Sequence, residues 1–147
     1  MSSIKDVDLA DVYLFHLEKA YKQFKKYKTQ VFVQEGTSLT SDQWIVLKRV
    51  GEAEGISQRE LAASTCKEPA SITRILDILQ KNKLVKREEA KTDRRTYGIF
   101  LTKKGKGLIE QLTPLAQEIR AKGLTNISEK EKASLIKMLD SIYKNFS

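Results

Sequence analysis

Most of the positive charge in this chain of 147 residues lies in one stretch, residues 67–106, here called the basic cluster. It contains 12 Lys and Arg against 5 Asp and Glu, a net of +7, whereas the whole chain carries +8. The basic residues are Lys67, Arg74, Lys81, Lys83, Lys86, Arg87, Lys91, Arg94, Arg95, Lys103, Lys104 and Lys106. Because the rest of the chain is nearly neutral, the cluster indicates one local surface suited to nucleic acid, and a merely solvated surface is the weaker interpretation.

The segment 70–74 within the cluster combines small, hydroxylated and basic side chains. Its candidate DNA contacts are Ala70, Ser71, Thr73 and Arg74. Small side chains let a helix backbone approach base edges, and hydroxyl and guanidinium groups form hydrogen bonds with bases or phosphates. Lys103 and Lys104 are expected to face phosphates as well. Glu68 and Asp77 would repel phosphate, so we expect both to point elsewhere.

Three capping-box patterns, each a Ser or Thr followed three residues later by Gln or Glu, predict the starts of helices. They are Thr40 with Gln43, Ser57 with Glu60, and Ser128 with Glu131. Pro69 suits the first position of another helix, the recognition helix, which is predicted to end near Asn82 because Asn tolerates the left-handed conformation. Apolar residues at helical spacing over 7–32 predict a first helix longer than one small core can use.

Residues 84–87 and 96–101 have the alternation of two short strands, joined by a polar loop that predicts a hairpin with an extended charged tip. Thr102 is placed to cap a further helix that runs to about Lys122, with Pro114 as a kink. Three helices followed by a hairpin form a winged helix-turn-helix, in which the third helix enters the major groove and the wing reaches the backbone or minor groove. The predicted fold is therefore mainly α with a small β-hairpin wing and long helices at both ends.

Four segments resemble the MarR family of winged-helix transcriptional regulators. They are residues 39–50 (LTSDQWIVLKRV), 57–64 (SQRELAAS), 69–87 (PASITRILDILQKNKLVKR) and 92–105 (TDRRTYGIFLTKKG). The most specific part is the wing, in which Asp93-Arg94-Arg95 is followed by Leu101-Thr102. The resemblance implies that Arg95 enters the minor groove, that Asp93 orients it, and that Arg94 contacts phosphate. An ion pair of Arg94 or Arg95 with the neighbouring Glu88 or Glu89 is the alternative.

The sequence departs from the family pattern at one place, since Lys83 stands before Leu84 where family members usually have Gly. The resemblance further implies a homodimer that binds a pseudo-palindromic operator in double-stranded DNA. One domain would span 1–147, with an N-terminal dimerisation helix at 1–36, a DNA-binding lobe at 37–102 and C-terminal dimerisation helices at 103–147. Many such regulators are repressors that a small, often phenolic, effector releases from DNA.

Few other side chains in this sequence suggest chemistry. His16 and Trp44 are candidates for lining an effector pocket, with a solvent-facing or interface histidine as the alternative. Cys66 precedes the recognition helix and is a candidate for redox control, with a packing role as the alternative. One Cys and one His provide neither a disulfide nor an ordinary structural zinc site, so we expect no metal and no cofactor.

The sequence therefore predicts a dimeric, sequence-specific DNA-binding regulator. A winged-helix module that docks on an acidic protein without binding an operator is the alternative. An enzyme is a third possibility with less support, because no nucleophile, base and orienting group stand at a recognisable spacing. The chain has no apolar run near the ~18 residues of a membrane span and no signal-peptide pattern, so we expect a cytoplasmic location and no membrane partner.

Overall fold

The computed structural model describes residues 4–90 and 93–147, and the side chains of 4–89 and 97–147. These parts of the chain form six α-helices and one three-stranded antiparallel sheet, which confirms the predicted winged-helix fold class. The helices are α1 (Tyr13–Gln34), α2 (Ser41–Glu52), α3 (Gln58–Ser64), α4 (Pro69–Lys81), α5 (Lys103–Gly123) and α6 (Glu129–Asn145). The strands are β1 (Ile56–Ser57), β2 (Val85–Ala90) and β3 (Asp93–Leu101).

All three predicted capping boxes are present, at the starts of α2, α3 and α6. In each, the hydroxyl of the cap accepts from the backbone N–H three residues on, while that residue's side chain accepts from the backbone N–H of the cap. Thr102 caps α5 as predicted, since its Oγ1 accepts from Gly105 N at 3.0 Å. The starts of these four helices were predictable because each cap needs only groups within four residues.

The first helix begins later than the apolar spacing predicted. A short 3-10 turn, Leu9–Asp11, precedes it, and the side chain of Asp8 caps this turn by accepting from Ala10 N at 2.9 Å. Val12 then adopts an extended conformation with ψ of 112°, so α1 starts at Tyr13. The apolar spacing continues through this turn, but the side chain of Asp8 gives the backbone a competing hydrogen bond, so the α-helix does not start there.

The sheet has the order β1-β3-β2, and both ladders are antiparallel. Ile56 lies opposite Ile99, and Val85 lies opposite Leu101. The hairpin strands are longer than predicted, since pairing continues to Ala90 and Asp93 after an irregularity at Glu89/Ala90. The predicted hairpin is present, but its strand bounds of 84–87 and 96–101 were wrong, because polar side chains do not prevent backbone pairing.

The core of the DNA-binding lobe is made by one face of each of its elements. Fully buried side chains come from the end of α1, from α2, α3 and α4, and from β3. They include Phe32, Val46, Leu47, Val50, Leu61, Ile72, Leu76, Leu79 and Ile99. Each large apolar side chain removed from water contributes about 1.5–3 kcal/mol before conformational entropy is subtracted. This core sets the orientation of α4.

The chain divides into two compact units, one that ends at Thr113 and one that starts at Pro114. The boundary lies inside α5, at a residue that has no backbone N–H to continue the helix ladder. In the second unit, α6 leaves several large apolar side chains exposed in the single chain. These are Leu135, Ile136, Met138, Leu139 and Tyr143. Among the described residues, no helix combines the length and the apolar character needed to cross a membrane.

Candidate nucleic-acid interface

Helix α4 has one buried and one accessible face. Ile72, Leu76 and Leu79 recur at steps of four and three and are fully buried, which is the spacing that places side chains on one side of a helix. The predicted contacts lie on the other side: Ala70, Thr73 and Arg74 are exposed and Ser71 is half-buried. The structure thus brings these four side chains to one accessible surface at the N-terminal half of the recognition helix.

The hydroxyl groups on this surface are already hydrogen-bonded within the protein. Gln58 Nε2 donates to Thr73 Oγ1 at 2.6 Å, and Thr73 Oγ1 donates to the carbonyl of Pro69 at 3.1 Å. Arg74 Nη2 donates to Ser71 Oγ at 3.4 Å. Sequence reasoning missed Gln58, whose only signal was its place at the first position of the helix that packs on α4.

Arg87 on β2 joins the wing, the β2–β3 hairpin, to the recognition helix. Its guanidinium donates to Gln80 Oε1 at 2.6 Å and to Asp77 Oδ1 at 3.1 Å. Asp77, expected to point away from phosphate, is therefore paired with a cation of the wing. The side chain of Arg87 is only 25% exposed, so this member of the basic cluster fixes the angle between wing and helix.

The N-terminal end of α4 is held by an ion-pair network. Lys67 Nζ lies 2.9 Å from Asp42 Oδ1, and Lys25 Nζ lies 3.4 Å from Asp42 Oδ2. Partial burial raises the pKa of the Asp42 carboxyl, but the hydrogen bond and charge of Lys67, followed by those of Lys25, lower it by more, so its pKa lies below the ordinary value. The network connects α1, α2 and the α3–α4 turn.

Cys66 lies in that turn and adopts a left-handed conformation with φ of +55°. Its side chain is exposed, in keeping with the accessibility that redox control requires. The neighbouring ammonium group of Lys67 contacts the Asp42 carboxylate. Redox control at Cys66 stays a prediction.

The C-terminal end of α4 is held by close backbone approach. Lys83 takes the left-handed conformation with φ of +61°, whereas Asn82, predicted to do so, has φ of −81°. Thr102 Oγ1 donates to the carbonyl of Lys83 at 2.7 Å, and Lys104 Nζ donates to the carbonyl of Asn82 at 3.1 Å. The turn therefore has the left-handed conformation for which Gly is favoured. Its carbonyl groups accept hydrogen bonds from Thr102, at the start of α5, and from Lys104.

Asp93, Arg94 and Arg95 belong to β3, but their side chains lie outside the described residues, so their predicted roles stay predictions. Of the other wing charges, Lys86 Nζ lies 2.9 Å from Glu88 Oε1. Lys103 is exposed at the start of α5. Arg74 on α4 and Lys83 in the turn after it are exposed as well, so both the recognition helix and the elements next to it carry accessible positive charge.

The structure does not bring the two predicted effector residues together within one chain. Trp44 is 2% exposed and packs edge-on against Phe32 at 5.4 Å between ring centroids. His16 is exposed, and its Nε2 donates to the carbonyl of Ala10. It lies 16 residues before Phe32 on α1, which corresponds to roughly 24 Å along the helix. Their role in effector binding stays a prediction.

A cavity of about 390 Å³ lies instead where the α1–α2 loop, the α4–β2 turn and α5 meet, with Leu39, Leu84, Lys104 and Leu108 in its lining. Within the described part of the chain, no group of three or more His, Cys, Asp or Glu side chains is arranged to hold a metal ion.

A helix-turn-helix unit followed by a hairpin, with cations around an accessible recognition helix, defines a winged-helix protein. Residues 39–97 match the model of the MarR family. This match confirms the resemblance to the MarR family that the sequence predicted. This family is one of transcriptional regulators, so the matches give no support to an enzymatic function.

Solved structures share the fold over nearly the whole chain. A probable transcriptional regulator from Pseudomonas aeruginosa is 27% identical, with a TM-score of 0.84, and the match covers 92% of this chain and 99% of that one. A mutant of MarR from E. coli, complexed with operator DNA, is 22% identical, with a TM-score of 0.83 and coverage of 94% and 99%. BpsR from Bordetella bronchiseptica is 20% identical, with a TM-score of 0.85 and coverage of 95% and 98%.

Proposed function

We propose that this protein is a dimeric, sequence-specific DNA-binding transcriptional regulator, and specifically a repressor that a small molecule releases from its operator. The observation that carries the proposal is the accessible face of α4, which presents Ala70, Ser71, Thr73 and Arg74 amid the positive charge of the basic cluster. A helix with this exposed face fits the major groove, and the wing beside it would reach the backbone or minor groove.

The contacts of the cluster divide its cations into two groups. Arg87 and Lys67 are paired with Asp77 and Asp42 and would act by positioning α4. Arg74 and Lys103 are exposed and would contact bases or phosphates. Lys104 donates a hydrogen bond to the carbonyl of Asn82. To contact phosphate, its ammonium group would replace this hydrogen bond with one to a phosphate oxygen. In this proposal Arg95 enters the minor groove, Asp93 orients it, and Arg94 contacts phosphate.

The apolar faces of α1 and α6 support a homodimer. Besides the exposed residues of α6, α1 exposes Tyr13, Leu14 and Tyr21, each at least 44% accessible in the single chain. Exposed apolar patches of this kind mark interaction surfaces. A two-fold dimer would present two recognition helices to successive turns of a pseudo-palindrome, which raises both affinity and its salt dependence. Acting on DNA, the protein would work in the cytoplasm.

Structural neighbours support the operator and the effector as classes of partner. A mutant of E. coli MarR has been crystallised with operator DNA, and the structure of the transcriptional repressor CouR was solved bound to a 23-mer DNA duplex. The DNA binding of BpsR is regulated by 6-hydroxynicotinic acid, and PcaV from Streptomyces coelicolor was solved with its natural ligand. For this chain we propose a small effector, with phenolic compounds as the first class to test.

The test is a binding-site selection with the purified protein, followed by titration of the selected duplex at near-physiological salt. We expect tighter binding to the selected duplex than to random DNA. Replacing Arg95 with Ala should weaken binding by about 1–3 kcal/mol if it contacts DNA directly. Arg120→Ala, an exposed arginine outside the basic cluster, is the matched control and should leave the affinity unchanged. Equal affinity for selected and random duplexes would contradict the proposal and favour a protein-interaction module.

A further inference from the structure

Thr73 is an exposed residue of the proposed contact surface, yet its hydroxyl both donates and accepts a hydrogen bond within the protein. The O–H donates to the carbonyl of Pro69 at 3.1 Å, and the oxygen accepts from Gln58 Nε2 at 2.6 Å. A threonine hydroxyl has only one proton to donate. Thr73 therefore has no donor left for the acceptor atoms N7 or O6 of guanine, N7 of adenine, or O4 of thymine.

The group of Thr73 that remains uncommitted is its γ-methyl. Two hydrogen bonds fix the χ1 rotamer, because a threonine that bonds the carbonyl four residues back in a helix adopts one of its two preferred rotamers. Holding the side chain in advance lowers the entropy lost on contact. A fixed methyl group on an exposed residue of the recognition helix suits an apolar surface of the major groove.

Thymine is the one standard base that presents a methyl group in the major groove, on its C5 carbon. We propose that Thr73 contacts the C5-methyl of a thymine in each half-site through its own γ-methyl, and so determines specificity by apolar contact. This inference rests on the proposed function and adds to it the kind of base contacted.

Ser71 and Arg74, on the same surface, differ from Thr73 in their hydrogen bonding. Ser71 Oγ accepts from Arg74, so its own proton is free to be donated, and Ser71 has no methyl group. Polar contact at this surface would thus come from Ser71 and Arg74, and apolar contact from Thr73. Sequence alone grouped all three as hydrogen-bonding residues, because the bond from Gln58 spans 15 residues.

The experiment replaces thymine with uracil, which lacks only the C5-methyl, at each symmetric pair of positions in a duplex obtained by binding-site selection. Affinities are measured for the wild type, Thr73→Ser and Thr73→Val. For the wild type, uracil at one symmetric pair should weaken binding about fourfold per half-site, as expected for one buried methyl group. Thr73→Ser keeps the hydroxyl and should lose this discrimination at that pair alone. Thr73→Val keeps a methyl group in place and should retain it.

Two results would overturn the inference while leaving the proposed function intact: no thymine position in the duplex is sensitive to uracil, or Thr73→Ser discriminates as the wild type does. Loss of discrimination in Thr73→Val alone would also overturn it, by showing that the hydroxyl matters. Failure of the wild type to enrich any duplex in the selection is a different result, which contradicts the proposed function itself. Thermal unfolding of each variant shows that the comparison is made between folded proteins.

Discussion

The two ends of the recognition helix are held by different forces. Each adjoining turn contains a non-glycine residue in the left-handed conformation, Cys66 before the helix and Lys83 after it. The N-terminal turn is held by charge, through the contact of Lys67 with Asp42. The C-terminal turn is held by hydrogen bonds to its backbone carbonyls, from the Thr102 hydroxyl and the Lys104 ammonium group, and by the close approach of α5 to Leu84. Charge can be tuned by pH and salt, whereas a steric contact cannot.

This difference indicates how α4 is oriented. Its C-terminal end is fixed to α5 at Thr102, while its N-terminal end, where the proposed DNA contacts lie, depends on side-chain ion pairs that are partly exposed. The ion pairs of Asp42, at 2.9 and 3.4 Å, are partly exposed to water. Such pairs contribute less to the free energy of unfolding than buried packing does. We therefore expect variants of the C-terminal end to affect folding more strongly than variants of the N-terminal end.

The largest effect is expected for Gly105→Ala. A Cβ at this position would lie 2.2 Å from the carbonyl oxygen of Leu84, and a backbone atom cannot move aside without displacing the turn. We expect a loss of about 3 kcal/mol in the free energy of unfolding, as for overpacking of a tight contact. Urea denaturation measures it.

Gly107→Ala is the matched control, because it lies in the same helix and a Cβ there meets nothing within 4 Å. It should stabilise the protein by roughly 0.5–1 kcal/mol, as alanine does in place of glycine inside a helix. If both variants changed stability by the same amount, close approach of α5 to Leu84 would not be what holds the C-terminal end.

The elements that sequence predicted well are those set by local groups. The cap of Thr40 with Gln43 and the position of Pro69 were read correctly, because both depend on neighbours within a few residues. The contacts that orient the site are between distant residues, such as Gln58 with Thr73 and Asp42 with Lys67, and no periodicity reports them. The two-residue strand β1 was missed because its pairing with β3 spans some 40 residues.

The turn after α4 shows the same limit of sequence-based prediction at the level of a single residue. Sequence indicated that the helix ends at Asn82 and Lys83, and the side-chain preference of Asn favoured the former as the left-handed residue. The structure places Lys83 there, because Leu84 N must reach the carbonyl of Leu79 at 2.9 Å to close the helix. The position at which the family usually has Gly is therefore the one that is left-handed here. Lys83 adopts this conformation in place of Gly.

Lys83→Gly should give the second largest effect, a gain in stability. A left-handed non-glycine residue costs about 1 kcal/mol, part of which is offset because glycine loses more freedom on folding. The expected net gain is roughly 0.5–1 kcal/mol in the free energy of unfolding, measured by urea denaturation. Asn82→Gly, at φ of −81°, is the control and should give no gain. A loss of stability in Lys83→Gly would mean that the side chain contributes more than the backbone conformation costs.

Asp42→Asn should have the smallest effect and the clearest dependence on pH. The lowered pKa of Asp42 means that its ionised form is favoured in the folded protein, so its contribution is present above the unfolded pKa of about 3.9 and is lost as the pH falls through the lower folded value. At pH 7 we expect a loss below about 1 kcal/mol, since the carboxyl is partly exposed and screened.

This difference between wild type and Asp42→Asn should shrink as urea denaturation is repeated towards about pH 3, and also at high salt. Glu18→Gln is the control, because it removes an exposed ion pair on α1, with Lys22 at 2.8 Å, that contacts neither turn. If the N-terminal end of α4 is held by charge, Asp42→Asn alone should also weaken binding of the selected duplex at pH 7. A pH-independent loss in Asp42→Asn would instead assign the residue to packing, and the two ends of the recognition helix would then be held by the same kind of force.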